Sequence, residues 1–268
     1  MTTPPAVRVL EHELLLYRRV WRGSIVSSFL SPVLFLAAMG VGLGNYVSQN
    51  SGSVGGATGG AAAALGGVSY LVFIAPGLLA STAMQAAAGE STFPIMGGIV
   101  WVRSFHGMLT TPIRVLDVLL GKVAYIALRL TLVCSVFFGV MLLFGATHGF
   151  QAIFAVPGAV LTGLAFTTPI VAFSATQKDT NGFNALFRFG VIPLFLFSGT
   201  FFPIAQLPVF LQPLAVVTPL WHGVDLCRTL ALGTADAAGV LIHVAYLGTL
   251  TAAGLILAHR AFRRRLER

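Results

Sequence analysis

Long uncharged runs constrain this chain more than any other feature. About twenty consecutive apolar residues are enough to cross the roughly 30 Å hydrocarbon core of a bilayer. Six runs of that kind are read here, at residues 24–46, 68–89, 117–145, 152–175, 186–203 and 237–258. Each is bounded by glycine, polar or charged residues. The runs are continuous and do not alternate apolar with polar, which argues against a transmembrane β-barrel. Inside lipid the backbone must satisfy its own hydrogen bonds, so such runs are helices. The chain is 56% hydrophobic and only 9% charged, against about 25% charged in soluble domains. The predicted fold class is an all-α integral membrane protein: six transmembrane helices in a single domain over residues 1–268, with no separate soluble domain. The first apolar run is long, lacks a small-residue cleavage site and is followed by more spans. It reads as a retained helix and not as a cleaved signal peptide.

The net charge of +8 could suggest a nucleic-acid partner, but its distribution argues for membrane orientation instead. Arg8, Arg18, Arg19 and Arg22 precede the first run, and Arg103, Arg114 and Lys122 follow the second. Lys178 and Arg188 follow the fourth, and Arg260, Arg263, Arg264, Arg265 and Arg268 follow the sixth. Fourteen of the sixteen Lys and Arg residues therefore fall on one side; Arg228 lies opposite and Arg129 sits within the third run. The positive-inside rule then places both termini in the cytoplasm. The stretch 49–67 is uncharged and rich in Gly, Ala and Ser, and reads as a flexible outer loop.

Most site chemistry is missing. No G-x-x-x-x-G-K-[ST] phosphate loop occurs, so the chain is not expected to bind ATP itself. Gly40, Gly42 and Gly44 close a hydrophobic run and suit close helix packing or a frayed helix end, not a dinucleotide site. The six histidines show no metal-ligand spacing, and no metal is expected. Cys134 and Cys227 make no disulfide framework and read as small apolar packing residues. Carboxylates are nearly absent from the runs, against the midplane ionisable groups of ion-coupled carriers. Arg129 is the exception. It either snorkels to the headgroups, pairs across helices or touches an anionic substrate.

Three segments carry more information. In residues 1–22, Leu10, Leu14, Tyr17 and Trp21 recur at steps of three and four, with the charges away from them. That pattern suits an amphipathic helix lying in the interface, or an ordinary packing helix. Residues 89–122 make a long cytoplasmic connection that mixes Phe93, Trp101 and Phe105 with Arg103, Arg114 and Met108. Aromatic and Arg side chains dominate the centres of protein interfaces, so a partner subunit could dock here; a loop packed on its own bundle is the alternative. Residues 196–227 are too apolar for an ordinary loop, yet Pro203, Pro208, Pro213 and Pro219 break any single helix. Phe201 and Phe202 stand just before Pro203, where the fifth run should end at the outer mouth. They either close that mouth as an apolar gate or only anchor the helix in lipid.

MLTTPIRVLDVLLGK (residues 108–122), LFSGTFFPIAQLP (196–208) and TPLWHGVDLCR (218–228) carry a family likeness. The chain resembles the permease subunits of type-2 ABC exporters, nearest the nodulation-factor lipo-oligosaccharide and daunorubicin-type branch. The last two pieces are the more specific. The resemblance covers essentially the whole chain. It implies a six-helix permease that pairs with a second copy of itself and with two separate ATPase subunits, in a bacterial cytoplasmic membrane. It implies that ATP and Mg are bound on the ATPase partner, with no cofactor on this chain. It also implies an interfacial connecting helix over 1–22 and a coupling helix near 91–108 set in a groove of the ATPase. Residues 204–232 become short external re-entrant helices capping the exit. Pro94, Gly97 and Gly98 depart from the regular charged helix of many relatives, so the coupling helix is expected to start near Ile99.

The reading that follows is an export permease for an amphiphile, either a lipid-linked oligosaccharide or an apolar drug. It is a transport subunit and not an enzyme. Membrane lipids surround it, and no nucleic-acid partner is expected. The alternatives are a membrane-embedded lipid-modifying enzyme, which would need clustered intramembrane His, Asp or Glu, and a membrane assembly protein without transport.

Overall fold

The structure, a computed structural model, describes residues 4–38, 69–147 and 149–267, with residues 20–29, 31 and 32 described in backbone only. The expected loop 49–67, the glycines at 40, 42 and 44 and the end of the first apolar run lie outside the described residues. So does the side chain of Trp21.

Helix α1 runs unbroken from Pro5 to Leu36. The amphipathic segment and the start of the first apolar run are therefore one helix, without the boundary expected near residue 22. Gly23 costs a helix about 1 kcal/mol relative to alanine, too little to end one held by packing. Helix α2 (Tyr70–Ser91) starts at Ser69, whose hydroxyl accepts the Val72 N–H at 3.4 Å. A bend at Thr92 leads into the short α3 (Phe93–Met96) and a π-helical turn, Gly97–Trp101. The chain turns at Arg103, which has a left-handed backbone (φ 54°), into α4 (Ser104–Leu109). Helix α5 (Val115–Leu143) is capped by Asp117, whose carboxylate accepts the Arg114 N–H at 3.0 Å. A 3₁₀ turn (Phe150–Phe154) opens α6 (Ala155–Thr176).

Next come α7 (Asn181–Ala185), a π-helical turn (Leu186–Val191) and α8 (Ile192–Phe197), joined into one helical rod. The fifth apolar run was expected to stay helical to residue 203, but the rod stops at Phe197. At 1.5 Å per residue it is about 25 Å long, short of a full hydrocarbon crossing. Beyond it lie a 3₁₀ turn (Ile204–Gln206), α9 (Gln212–Val217) and α10 (Pro219–Leu232). The prolines explain this fragmentation. Pro213 and Pro219 sit in the first turns of α9 and α10, where the missing N–H is harmless. Helix α11 (Ala237–Leu266) closes the fold.

The described residues contain no strand. Four helical stretches among them are long and apolar enough to cross a membrane: Tyr70–Trp101, Val115–Leu143, Phe150–Thr176 and Ala237–Leu266. Helix α6 is the hub and packs on α2, α5, α10 and α11. Close approach depends on small residues, as is usual between membrane helices. A Cβ added to Gly254 of α11 would stand 2.3 Å from the Thr168 hydroxyl of α6. The same hydroxyl donates to the Thr251 carbonyl at 3.0 Å and fastens the two helices. Helix α2 is buried along most of its length, whereas α11 turns most of its surface outward. Arg103, Arg114, Arg260, Arg263, Arg264 and Arg265 line hollows around the end of α11, called here the basic end.

Candidate functional site

A cavity of about 490 Å³ opens between α1, α2, α5 and α8. Its walls are mainly apolar, with Phe35, Leu78, Val133, Phe137 and Phe195 among them. Its polar end is made by Glu90, Arg129, Gln85 and Thr82. Arg129, the cation left open between three roles, pairs across helices. Its Nη2 donates to Glu90 Oε1 at 2.9 Å, and its guanidinium lies 4.5 Å from the centre of the Tyr17 ring.

That pair belongs to a ladder along the α1–α5 contact. Lys122, Tyr125 and Arg129 share one face of α5 by their spacing, and Glu13 and Tyr17 share one face of α1. Lys122 Nζ donates to Glu13 Oε2 at 2.8 Å, with only 5% and 10% of the two side chains exposed. The ammonium sits 4.9 Å from the Tyr125 ring centre, and Tyr125 meets Tyr17 edge-on at 6.5 Å. Gly121 lets α1 come this close: a Cβ there would stand 2.6 Å from Val9. Tyr17 thus faces this ladder, while Leu10 and Leu14 pack against the core. Glu13, Glu90 and the pairing role of Lys122 were not singled out from sequence. Glu13 and Glu90 stand on two different helices, so no spacing within one segment points to either pair.

At the end away from the basic residues, the chain beyond α8 folds back into the bundle. Ser198 and Thr200 are buried and joined at 3.0 Å, and Thr200 meets the Ser81 hydroxyl of α2 at 2.9 Å. Arg228 of α10 completes this knot. It donates from Nη2 to the Gly199 carbonyl at 2.8 Å and from Nε to the Phe73 carbonyl at 3.3 Å. Its guanidinium also covers the Phe73 ring at 3.9 Å. By sequence alone Arg228 is only the lone cation of its side. The half-buried Phe201 meets Phe195 at 4.9 Å and Phe35 at 6.3 Å, beside the cavity. Its carbonyl accepts the Tyr70 hydroxyl at 3.4 Å. Phe202 and Pro203 are also half-buried.

Next to this knot, His222 and His243 are joined through their Nδ1 atoms at 2.8 Å, and His243 Nε2 reaches Asp225 Oδ2 at 3.1 Å. His222 stacks on Tyr246 at 3.9 Å. Burial, and then the neighbouring His243, push the His222 pKa below its ordinary value of 6.5, opposed by Asp225. The contact between the two rings needs one Nδ1 to carry a proton and the other to accept it. Among the described residues no group of three His, Cys, Asp or Glu side chains, this one included, is arranged so that it could hold a metal ion.

The expected docking residues separate into two groups at the basic end. Trp101, Val102 and Arg103 are exposed around the left-handed turn. Phe105 points the other way and is 1% exposed, against Phe262 of α11 at 5.9 Å. Gly98 makes room for that ring: a Cβ there would stand 2.6 Å from it. Phe105 is therefore a core residue and not a surface contact. Met108 packs partly against the same core. Phe93 is 43% exposed and meets the buried Phe183 edge-on at 5.1 Å. The helix expected to start near Ile99 instead continues from α2 through the π-helical turn and breaks at Arg103.

The sequence model of the family described as ABC-2 type transporter matches residues 7–232. The chain is 30% identical over 254 residues to nodulation protein J of Rhizobium leguminosarum bv. viciae, covering 95% of this chain and 92% of that protein. It is 29% identical over 262 residues to the protein of the same name from R. leguminosarum bv. trifolii, covering 98% and 94%. With nodulation protein J of Rhizobium meliloti (strain 1021) it shares 26% identity over 260 residues, covering 97% and 93%. A bundle of apolar helices, a cavity with one polar end and a match over most of the chain lead to one conclusion: the chain belongs to the ABC-2 type transporter family.

Proposed function

We propose that this multi-pass permease works as a pair of identical chains with two separate ATPase subunits and exports an amphiphile from the cytoplasm. ATP and Mg are held by the ATPase partner. The basic end faces the cytoplasm of a bacterium, as the distribution of Lys and Arg supports. The observation that carries the reading is the cavity between α1, α2, α5 and α8. Apolar walls suit an acyl chain or an apolar drug, and the Arg129–Glu90 end suits a polar head. Hydrophobic binding sites with a few placed polar groups have this general design. The motifs at 196–208 and 218–228 favour a lipid-linked oligosaccharide over a drug.

In this reading closure of the ATPase pair is transmitted through Trp101 and Arg103 to α2, which carries one wall of the cavity. Phe201 then sits where the chain folds back at the exit. The test fills the cavity. Ala86→Trp places an indole among the lining residues. Export of the amphiphile should be lost while the variant inserts normally and still co-purifies with its ATPase. Wild-type export by a normally expressed variant would show that the substrate takes another path.

A further inference from the structure

Beside the end of α6, helix α11 carries a second concave site, and nothing in the transport reading uses it. A groove of about 330 Å³ is lined by Arg260, Arg264 and Arg265 over a floor of Ala175, Leu257 and Ala261, with Thr176 at its edge. No carboxylate lines it, and none of the three arginines forms an ion pair among the described residues. Several acids of the described residues are engaged elsewhere. Glu267 holds Arg263 at 2.8 Å, Glu90 holds Arg129 and Glu13 holds Lys122. Asp117 and Asp179 accept backbone N–H groups at 3.0 Å. Arg265 also lines an adjoining hollow with Arg103 and His106, again without a carboxylate.

The depth of the site matters as much as its charge. From Ala237, where α11 begins, to Arg260 the helix climbs roughly 35 Å at 1.5 Å per residue. The hydrocarbon core is about 30 Å thick, so these guanidinium groups stand at the level of the lipid phosphates. The groove floor continues into the outward face of α11, where Ile256 and Leu257 are each more than half exposed. An apolar track that ends in three unpaired guanidinium groups matches one kind of occupant. We propose that the groove between the ends of α6 and α11 binds one anionic phospholipid, its phosphate on Arg260, Arg264 and Arg265 and an acyl chain along Leu257. The proposal depends on α11 crossing the membrane and not on the identity of the exported substrate. Because Arg265 reaches toward Arg103, the bound headgroup lies against the turn assigned to ATPase docking.

The test uses the full chain, delipidated in neutral detergent, with binding read by native mass spectrometry. The probes are phosphatidylglycerol, phosphatidylcholine and inorganic phosphate. One phosphatidylglycerol per chain should bind in preference to phosphatidylcholine, and inorganic phosphate should not displace it at comparable concentration. Arg260→Gln with Arg264→Gln should weaken that binding about thirtyfold, since each cation near an anionic surface contributes about a fivefold factor. Arg263→Gln removes a charge from the same turn but from outside the groove, and should leave the binding unchanged. Equal weakening by both variants would reduce the effect to diffuse attraction and overturn the site. Equal binding of the two lipids, or displacement by free phosphate, would overturn it as well. Release of the ATPase by the double variant with unchanged lipid binding would make the patch a protein contact instead.

Discussion

Lys122 has 5% of its side chain exposed, and an ammonium group so enclosed requires an anion in contact. Glu13 supplies it from a helix that begins over a hundred residues earlier. Removing one member of a buried ion pair strands the other, at a cost of about 3–5 kcal/mol. Lys122→Met should therefore lower stability in detergent by about 3 kcal/mol, read from thermal or chemical unfolding. Adding Glu13→Gln should recover most of that loss, because attraction and desolvation cost disappear together. A double variant as unstable as the sum of the single ones would show that the two side chains do not act as a pair. Lys122 was visible in the sequence as a cation near a span boundary and Arg129 as a cation within a run. Their partners were not, because a pair between distant helices leaves no trace in local spacing. Arg228 shows the same limit: its role depends on backbone carbonyls of Phe73 and Gly199, which no side-chain pattern encodes.

Among the elements, the turn between α2 and α5 separates exposed side chains from packed ones. Trp101 and Arg103 project from it, whereas Phe105 lies beneath Gly98 and against Phe262. The sequence offered all three as one aromatic and basic cluster. The chain turns at Arg103 through a left-handed backbone, and periodicity does not announce such a turn at a non-glycine residue. The consequence is a split in mutational effect. Trp101→Ala combined with Arg103→Ala should release or uncouple the ATPase while leaving stability near wild type; interface anchors of this kind contribute on the order of 2 kcal/mol or more. Phe105→Ala should instead destabilise the chain by about 3–5 kcal/mol, the usual loss for a buried phenylalanine. Pull-down of the ATPase and unfolding of the same variants separate the two. Loss of stability from the first variant, or none from the second, would reverse the assignment. Apolar runs were the most legible feature at this scale, since length and charge exclusion alone define them. The end of the rod at Phe197 was not legible. The sequence stays apolar through residues 201–204, but Ser198 and Thr200 find partners inside the bundle, and that draws the chain out of the helix.

Across the molecule, one polar-ended cavity lies on the side of the bundle formed by α1, α2, α5 and α8, while α11 turns outward on its own face. In the proposed assembly the exposed turn at Trp101 and Arg103 meets the ATPase. The phosphate loop missing from this chain then belongs to the partner, so that path and engine are different polypeptides. The most direct measurement of that division places the chain in lipid vesicles, alone and with any ATPase that co-purifies with it. ATP hydrolysis and movement of a fluorescent amphiphile across the bilayer are followed together, and the mass of the complex gives its composition. The account predicts two permease chains with two ATPase chains, ATP-dependent movement by that complex, and neither hydrolysis nor movement by the permease alone. ATP-driven movement by the permease chain without any partner would contradict it.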